Sequence, residues 1–433
     1  MAYVVDRLWE GMPGSGLPRR MPQACRFQAY VPDPLSSIDL ALPGEVMADV
    51  SDAERAIQRL NGRVPTLASL EAVARFLLRA EAVASSRIEG LTLNARRLAQ
   101  AEAAQALGLP ARDATAEAVL GNILALRLAV EELSPQRLLS LEDLLRVHRA
   151  LVEHTDHPDQ GGRVRREQNW IGGNDYNPCG AEFVPPPPDL VPNLLDDLVD
   201  FVNTDRFPAL VQAALAHAQF ETIHPFADGN GRVGRALIHV VLRRRGLAPL
   251  FVPPISLILA TRAGEYVRGL QQYRYLGSPS SQQAQFGMAA YVETFVAAAA
   301  RAAADSDRYG ARLDDLVDRW RTQIGPVRAN SALDRLLRIL PSAPVVTIAT
   351  AATLTGRSVE AARLAIERLV EAGILRPVRG VRRYRAFEAA DVIQVVTDFE
   401  RALASPSGDT RLVPPVRPAP ARIGARDGDR SEP

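Results

Sequence analysis

His224-Pro225-Phe226-Ala227-Asp228-Gly229-Asn230-Gly231-Arg232-Val233-Gly234-Arg235 gathers a base, a carboxylate, two loop glycines and two arginines within twelve residues. A loop with glycines that opens an apolar helix (Ala236 to Leu242) presents free backbone N–H groups and the positive end of the helix dipole. Such a place binds an anion, most plainly phosphate. Arg232 and Arg235, three residues apart, share a helix face and can reach further phosphate oxygens. Asp228 offers a hard oxygen ligand suited to Mg²⁺, which binds a carboxylate or two together with substrate phosphates. His224 stands at the mouth of the loop, where a neutral imidazole can take a proton from an attacking hydroxyl. Together these are the parts for attack on a nucleoside triphosphate.

The elements that must position this loop are helical. Leu70, Val73, Leu77 and Ala80 recur at helical spacing, and Gly90 offers a stop for a helix ending near Ser85 or Ile88. Further helices are expected at 94–107, 114–133, 140–154, 194–203 and 208–222. Residues 155–189 break the pattern: a glycine-rich bend at Gly172-Gly173 and a second arm near 181–184 predict a short hairpin, closed by Pro185–Pro188. The first 65 or so residues, rich in prolines and turn residues, read as an irregular arm with short helices. Past 306 the pattern gives helices at 333–340, 349–355 and 358–372, then short strands near 374–378 and 383–387 with Gly380 at the tip. From Ser405 the chain is Pro-, Arg-, Gly- and Asp-rich, the composition of a disordered tail.

At 433 residues the chain suits two or three domains, and a net charge of +1 excludes a global basic field for coating nucleic acid. With only Cys25 and Cys179 there is no disulfide framework, and Cys179 reads as a bystander thiol. No signal peptide and no apolar run near 20 residues is visible, so a cytoplasmic location is expected.

The twelve-residue segment resembles the signature of the Fic family, His-Pro-Phe-x-Asp/Glu-Gly-Asn-Gly-Arg-x-x-Arg, at every fixed position, and the likeness extends through Gly162-x-x-Arg165 and Gln168 to Gly172. The resemblance implies a mainly all-α fold, a helical core with a small β-hairpin flap over 115–305, and transfer of AMP from ATP to a Tyr, Thr or Ser hydroxyl of a protein. On that basis His224 is the catalytic base and Asp228 holds Mg²⁺. Gly229, Asn230 and Gly231 line the anion site, Arg232 and Arg235 contact the triphosphate, and the flap at 172–184 aligns the target by strand addition. The kinase-like branch has lysine where this chain has Gly231, which favours nucleotidyl transfer. Ser85-Ser86-Arg87-Ile88-Glu89-Gly90 resembles the family's inhibitory motif, so Ser85, Glu89 and Gly90 are expected to block the site, with Glu89 paired to Arg235. In some relatives that glutamate positions a water for removing AMP, so hydrolytic reversal is a second implied activity.

Residues 331–388 resemble a winged helix-turn-helix, with Ser358 as an N-cap and Arg376, Arg379, Arg382, Arg383 and Arg385 clustered in the wing. The expected division is 1–114, an N-terminal helical region with the inhibitory helix; 115–305, the catalytic core; 306–403, the winged-helix-like domain; and 404–433, the tail. Partners implied are a target protein, the chain itself as a target, a second copy in a homodimer, and DNA through residues 331–388, with no membrane. The competing reading is a DNA-binding regulator that uses the core as a nucleotide sensor. His217, Glu221 and His224 share a helical face, but the order lacks His-Glu-x-x-His and Pro225 ends the helix, so no zinc site is expected there: His217 reads as a packing or hydrogen-bonding residue and Glu221 as a group that orients a neighbour. Arg243 to Arg245 complement the dipole at a helix end.

Overall fold

The computed structural model describes residues 1–10, 24–62, 70–106, 113–132, 138–153, 155, 157–174, 176–378 and 386–404. The chain opens not on an irregular arm but on a two-stranded antiparallel ribbon, β1 (Tyr3–Trp9) and β2 (Cys25–Val31), with Tyr3 facing Val31 and Trp9 facing Cys25. A 19-residue helix follows, α1 (Gly44–Gly62), burying Val46, Val50, Ala53, Ile57 and Leu60. The turn signals of Pro32 and Pro34 mark only the short link between ribbon and helix.

The helices around the loop come next: α2 (Leu70–Ile88), α3 (Ala95–Ala106), α4 (Ala114–Glu131), α5 (Leu141–Val152), α6 (Val191–Val202), α7 (Ala209–Ile223) and α8 (Asn230–Arg244). Their starts follow side-chain chemistry. Asp113 accepts from Ala116 N–H at the head of α4, and Ser140 forms a reciprocal capping box with Asp143 at the head of α5. Helix α7 is buried along every face, which its apolar run allows, and it forms the central rod of the main core. Helix α8 packs against it, α9 (Ile255–Thr261) packs instead on α2, and α10 (Ala263–Tyr273) and α11 (Gln282–Ile324) return to α7. Helix α11 is 43 residues long and passes through 305/306 without a break, from the main core into a second one. Trp320 near its end is fully buried in that second cluster.

The second cluster draws on α12 (Ala332–Ile339), β3 (Val345–Thr347), α13 (Ile348–Thr355), α14 (Val359–Glu371), β5 (Ala386–Glu388) and part of α15 (Ala390–Ala404), with β4 (Arg376–Pro377) exposed beside it. The three short strands form an antiparallel sheet in the order β3-β5-β4. Strand β3 and helix α15 were not expected; Val345-Val346-Thr347 is too short to carry a period of its own. Gly380, Arg379, Arg382, Arg383 and Arg385 of the expected wing, and the tail from Ser405, lie outside the described residues. None of the described helices is long and apolar enough to cross a membrane.

Two further expectations are corrected. The flap is not a ladder: Ile171 and Phe183 make one isolated antiparallel bridge, because Gly172 and Gly173 (φ +74° and +80°) turn the chain at once and leave no run of paired residues. Cys179 is not a bystander but is joined to Cys25 in a disulfide, with the Cα atoms 6.1 Å apart across 154 residues of sequence. The ribbon therefore braces the flap: Trp9 meets Trp170 edge-on at 5.5 Å, and Tyr30 N–H donates to Val184 O at 2.9 Å. Peptide mapping of unreduced protein should recover one cross-linked pair containing Cys25 and Cys179. Two thiols open to alkylation in the unreduced, denatured chain would remove the brace.

Candidate active site

His224 ends α7 in the left-handed region (φ 50°, ψ 60°), a costly conformation for a non-glycine residue. The surroundings fix it there. Its carbonyl accepts from Arg165 Nε at 2.8 Å and from Asn169 Nδ2 at 3.2 Å, while its N–H closes the helix onto Phe220 O at 2.9 Å. Arg165 is buried and spends its other donors on Glu167 O, Pro186 O and Ile223 O, and its backbone N–H on Pro225 O. The loop is thus stapled by a guanidinium whose partners are all carbonyls. Burial, followed by the positive charges of Arg274 and Arg165, lowers the His224 pKa to about 4, so the imidazole is neutral at pH 7. Its Nδ1 is buried without a partner.

Asn230 holds the rest of the loop by a two-way bond to one residue: Phe226 N–H donates to Asn230 Oδ1 at 2.8 Å, and Asn230 Nδ2 donates to Phe226 O at 2.7 Å. Gly229 takes φ +79°, and a Cβ there would meet Leu151 Cδ2 at 2.8 Å. His148 on α5 lies flat on Phe226 at 3.8 Å. Its Nδ1 accepts from Gly162 N–H at 3.0 Å, so Nε2 carries the proton donated to Asp228 O at 3.0 Å. Burial lowers the His148 pKa to about 4, which keeps that donor–acceptor pattern at neutral pH. An open cavity of about 1080 Å³ lies beside the loop, with Arg163, Arg166, Gln168, Asn169 and Ala227 in its wall.

The first turn of α8 gathers the charges. Arg232 is buried, its Nε has no partner, and its Nη2 reaches Asp228 Oδ2 at 3.3 Å. The Asp228 carboxylate is mostly exposed at the lip of the loop. Arg235 is 2% exposed and is held from α2: Nε donates to Ser85 Oγ at 2.9 Å, and Nη2 to Ser85 O at 2.9 Å and Glu89 Oε1 at 2.7 Å. Burial weakens the Arg235 proton, but Glu89, joined by Tyr266 and Glu221, outweighs this, so its pKa is raised. The carboxylate of Glu89 lies over the α8 N-terminus, where a Cβ on Gly231 would meet Glu89 Oε1 at 2.1 Å. Gly90 (φ +82°) makes the turn that delivers it, its N–H bonded to Arg87 O.

The sequence-predicted residues His224, Asp228, Gly229, Asn230, Gly231, Arg232, Arg235, Ser85, Glu89 and Gly90 thus meet around one loop. Others were not foreseen. Asn122 on α4 donates to Ala82 O at 2.7 Å and Ser86 Oγ at 3.0 Å, clamping the last turn of α2. Glu81 accepts from Ser256 N–H at 2.8 Å, tying α2 to α9, and lies 2.9 Å from His239 Nε2 on α8. An asparagine or glutamate inside a helix carries no local signal of such a partner. His217 is a packing and bonding residue, as read: its Nε2 meets Tyr266 Oη at 2.8 Å. Among the described residues no group of three His, Cys, Asp or Glu is placed to hold a metal.

Residues 138–242 match the model of the Fic/DOC family, and residues 47–131 match that of the Fic/DOC family N-terminal region. Over 138 residues the chain is 35% identical to the protein adenylyltransferase Fic of Drosophila willistoni, a stretch covering 31% of this chain and 26% of that protein. Over 131 residues it is 34% identical to the protein adenylyltransferase fic-1 of Caenorhabditis elegans, covering 30% of this chain and 23% of the relative. The chain spans about a quarter of the length of the curated relatives it matches. Among solved structures, a Fic family protein from Desulfovibrio desulfuricans aligns over 81% of this chain and 97% of its own, with 22% identity and a TM-score of 0.47.

Glu221, one turn before His224, has a buried Oε1 without a partner, and burial pushes its carboxyl from the ordinary 4.5 up to about 7. Arg235 opposes that rise and Glu89 adds to it. The folded chain therefore holds the proton more tightly than the unfolded one, and this group's stabilising contribution is lost as pH climbs from about 4.5 through 7. Glu221→Gln should shrink the fall in stability between pH 5.5 and 8.5 by about 2 kcal/mol, read from denaturant midpoints. An equal fall in both chains would mean that Glu221 does not titrate in this window.

Proposed function

We propose that this chain, which belongs to the Fic/DOC family through residues 47–131 and 138–242, is a protein adenylyltransferase restrained by its own Glu89. The observation that carries the reading is the Glu89 carboxylate, paired with buried Arg235 at 2.7 Å and lying over the N-terminus of α8. An anion already occupies the place built for one.

In this reading ATP enters with its phosphates toward Gly229, Asn230 and Gly231, and the oxygen of a target Tyr, Thr or Ser attacks the α-phosphorus. A ring nitrogen of His224, neutral at pH 7, takes the hydroxyl proton as the new P–O bond forms. The bond to the bridging oxygen breaks and pyrophosphate leaves with that electron pair. Arg232, whose Nε is an unspent buried donor, and Arg235 neutralise the departing charge. Asp228, exposed at the lip, would hold a Mg²⁺ that takes its remaining ligands from phosphate and water. When bound, that ion would screen the phosphate charge. With Glu89 in place Arg235 is already engaged, so the phosphates cannot settle in line. The same carboxylate, 37% exposed, could align a water for removing AMP from the target.

The four-part division of the chain, a cytoplasmic location, self-modification and a homodimer belong to the same proposal. The regulator reading is not favoured. On α14, Arg363 is spent on Glu360 and Glu367, and Arg368 reaches Ile324 O and Pro326 O, so the helix offers few free cations to a phosphate backbone.

The test is incorporation of α-labelled ATP with Mg²⁺ by wild type, Glu89→Gly and Glu89→Gly/His224→Ala. Glu89→Gly should raise labelling about tenfold or more, and adding His224→Ala should remove about 10²-fold or more of it. As pH falls from 8, labelling by Glu89→Gly should hold level to 6 and drop only below about 5, because His224 protonates near 4. Label that persists without His224, or none in any chain, would end the proposal.

A further inference from the structure

Arg274 follows the last residue of α10 and reaches back toward the end of α7. Its guanidinium carbon stands 3.5 Å from the ring centre of Phe183, the flap residue that bridges to Ile171. On its other side Nε donates to Thr222 Oγ1 at 3.4 Å and Nη2 to Glu221 O at 3.5 Å. Among the described residues no carboxylate pairs with it at ion-pair distance. What holds this cation is an aromatic face and the carbonyl end of a helix, two weak attractions that act only if both surfaces stay where they are. The surfaces belong to different parts of the site, one to the flap that would receive the target and the other to the turn that ends in His224.

We propose that Arg274 is a positioning residue that clips the flap, through Phe183, to the last turn of α7 and so sets the His224 ring against the target hydroxyl. The proposal rests on reading His224 as the base. The charged groups that act on the imidazole are Arg274 beyond α10, Arg165 on the loop after α5 and Glu89 beyond α2. Glu221 of its own helix acts through its backbone carbonyl. Burial is the largest influence on the ring, and Arg274 is the foremost of the charges that keep it unprotonated. Removing the guanidinium therefore does two things together. It frees Phe183, and it lets the imidazole hold a proton at higher pH.

The experiment uses the full chain in the Glu89→Gly background, with Arg274, Arg274→Lys and Arg274→Met compared by α-labelled ATP from about pH 3.5 to 9. Arg274→Met should label about tenfold more slowly at pH 8, with its acid half-point raised by about one unit. Arg274→Lys keeps the charge and should recover most of the rate and the original half-point. In parallel, ¹³C-histidine spectra assigned with His224→Gln read the imidazole itself, whether or not any label is transferred. A His224 midpoint that does not move in Arg274→Met, or a lysine variant no better than methionine, overturns the inference. Absence of label in every chain alongside a raised midpoint would instead uphold the link from Arg274 to His224 and sink the transferase reading.

Discussion

A guanidinium buried to 2% exposure must find its anion, and in this chain everything near the loop is arranged around where Arg235 finds it. The cation cannot shed its proton, so it must be paired from within or by a ligand. Ser85 supplies two neutral oxygens and Glu89 the charge. Removing one partner of a fully buried pair costs about 3–5 kcal/mol, but Glu89 keeps 37% of its side chain exposed, so the cost here is smaller. That asymmetry suits a carboxylate that can be exchanged for a phosphate: the cation is fixed and the anion stands at the water's edge.

The loop beside it shows the complementary constraint. His224 must be left-handed to turn its ring out of α7, and a conformation of that kind persists only when its surroundings over-determine it. Arg165 and Asn169 converge on its carbonyl, and Asn230 locks Phe226 two residues on. None of these bonds touches the imidazole. They hold the main chain, and the imidazole is left with an unpaired Nδ1 and a pKa near 4.

What could be read from the sequence follows from how local each cause is. The spacing His224 to Arg235 encodes a helix end, a turn and a helix start, so that order was legible, whereas the bonds from Arg165 and Asn169 that fix the His224 turn come from outside those twelve residues. The Glu89 contact was legible only through resemblance, since nothing near Ser85 names Arg235 as its partner 150 residues away. The ribbon β1–β2 was hidden because β1 is almost wholly solvent-facing and shows no in–out alternation along Tyr3–Trp9. The Cys25–Cys179 bond, the Asn122 clamp and the seat of Arg274 on Phe183 are products of tertiary approach and leave no periodic trace. The flap failed for a different reason: its aromatic and β-branched residues satisfy strand propensity, but two consecutive left-handed glycines allow only one bridge.

Glu89 is held from both directions along the chain, and this decides how freely it can move. Behind it, the last turn of α2 is pinned by Asn122 and, farther back, by Glu81 on Ser256. Ahead of it, only a short turn separates Gly90 from α3, and Arg96 on α3 forks onto both oxygens of Glu388 at 3.1 and 3.0 Å. Glu388 is buried, lies on β5 of the C-terminal sheet, and also accepts from Arg376 at 2.7 Å. Two cations on one buried carboxylate make a fixed joint rather than a loose surface pair. The segment carrying Glu89 therefore has little slack at either end. Displacing the carboxylate from Arg235 does not require melting that segment, because a change of side-chain rotamer moves the charge while Gly90, Ser86 and Ser85 keep the turn that positions it.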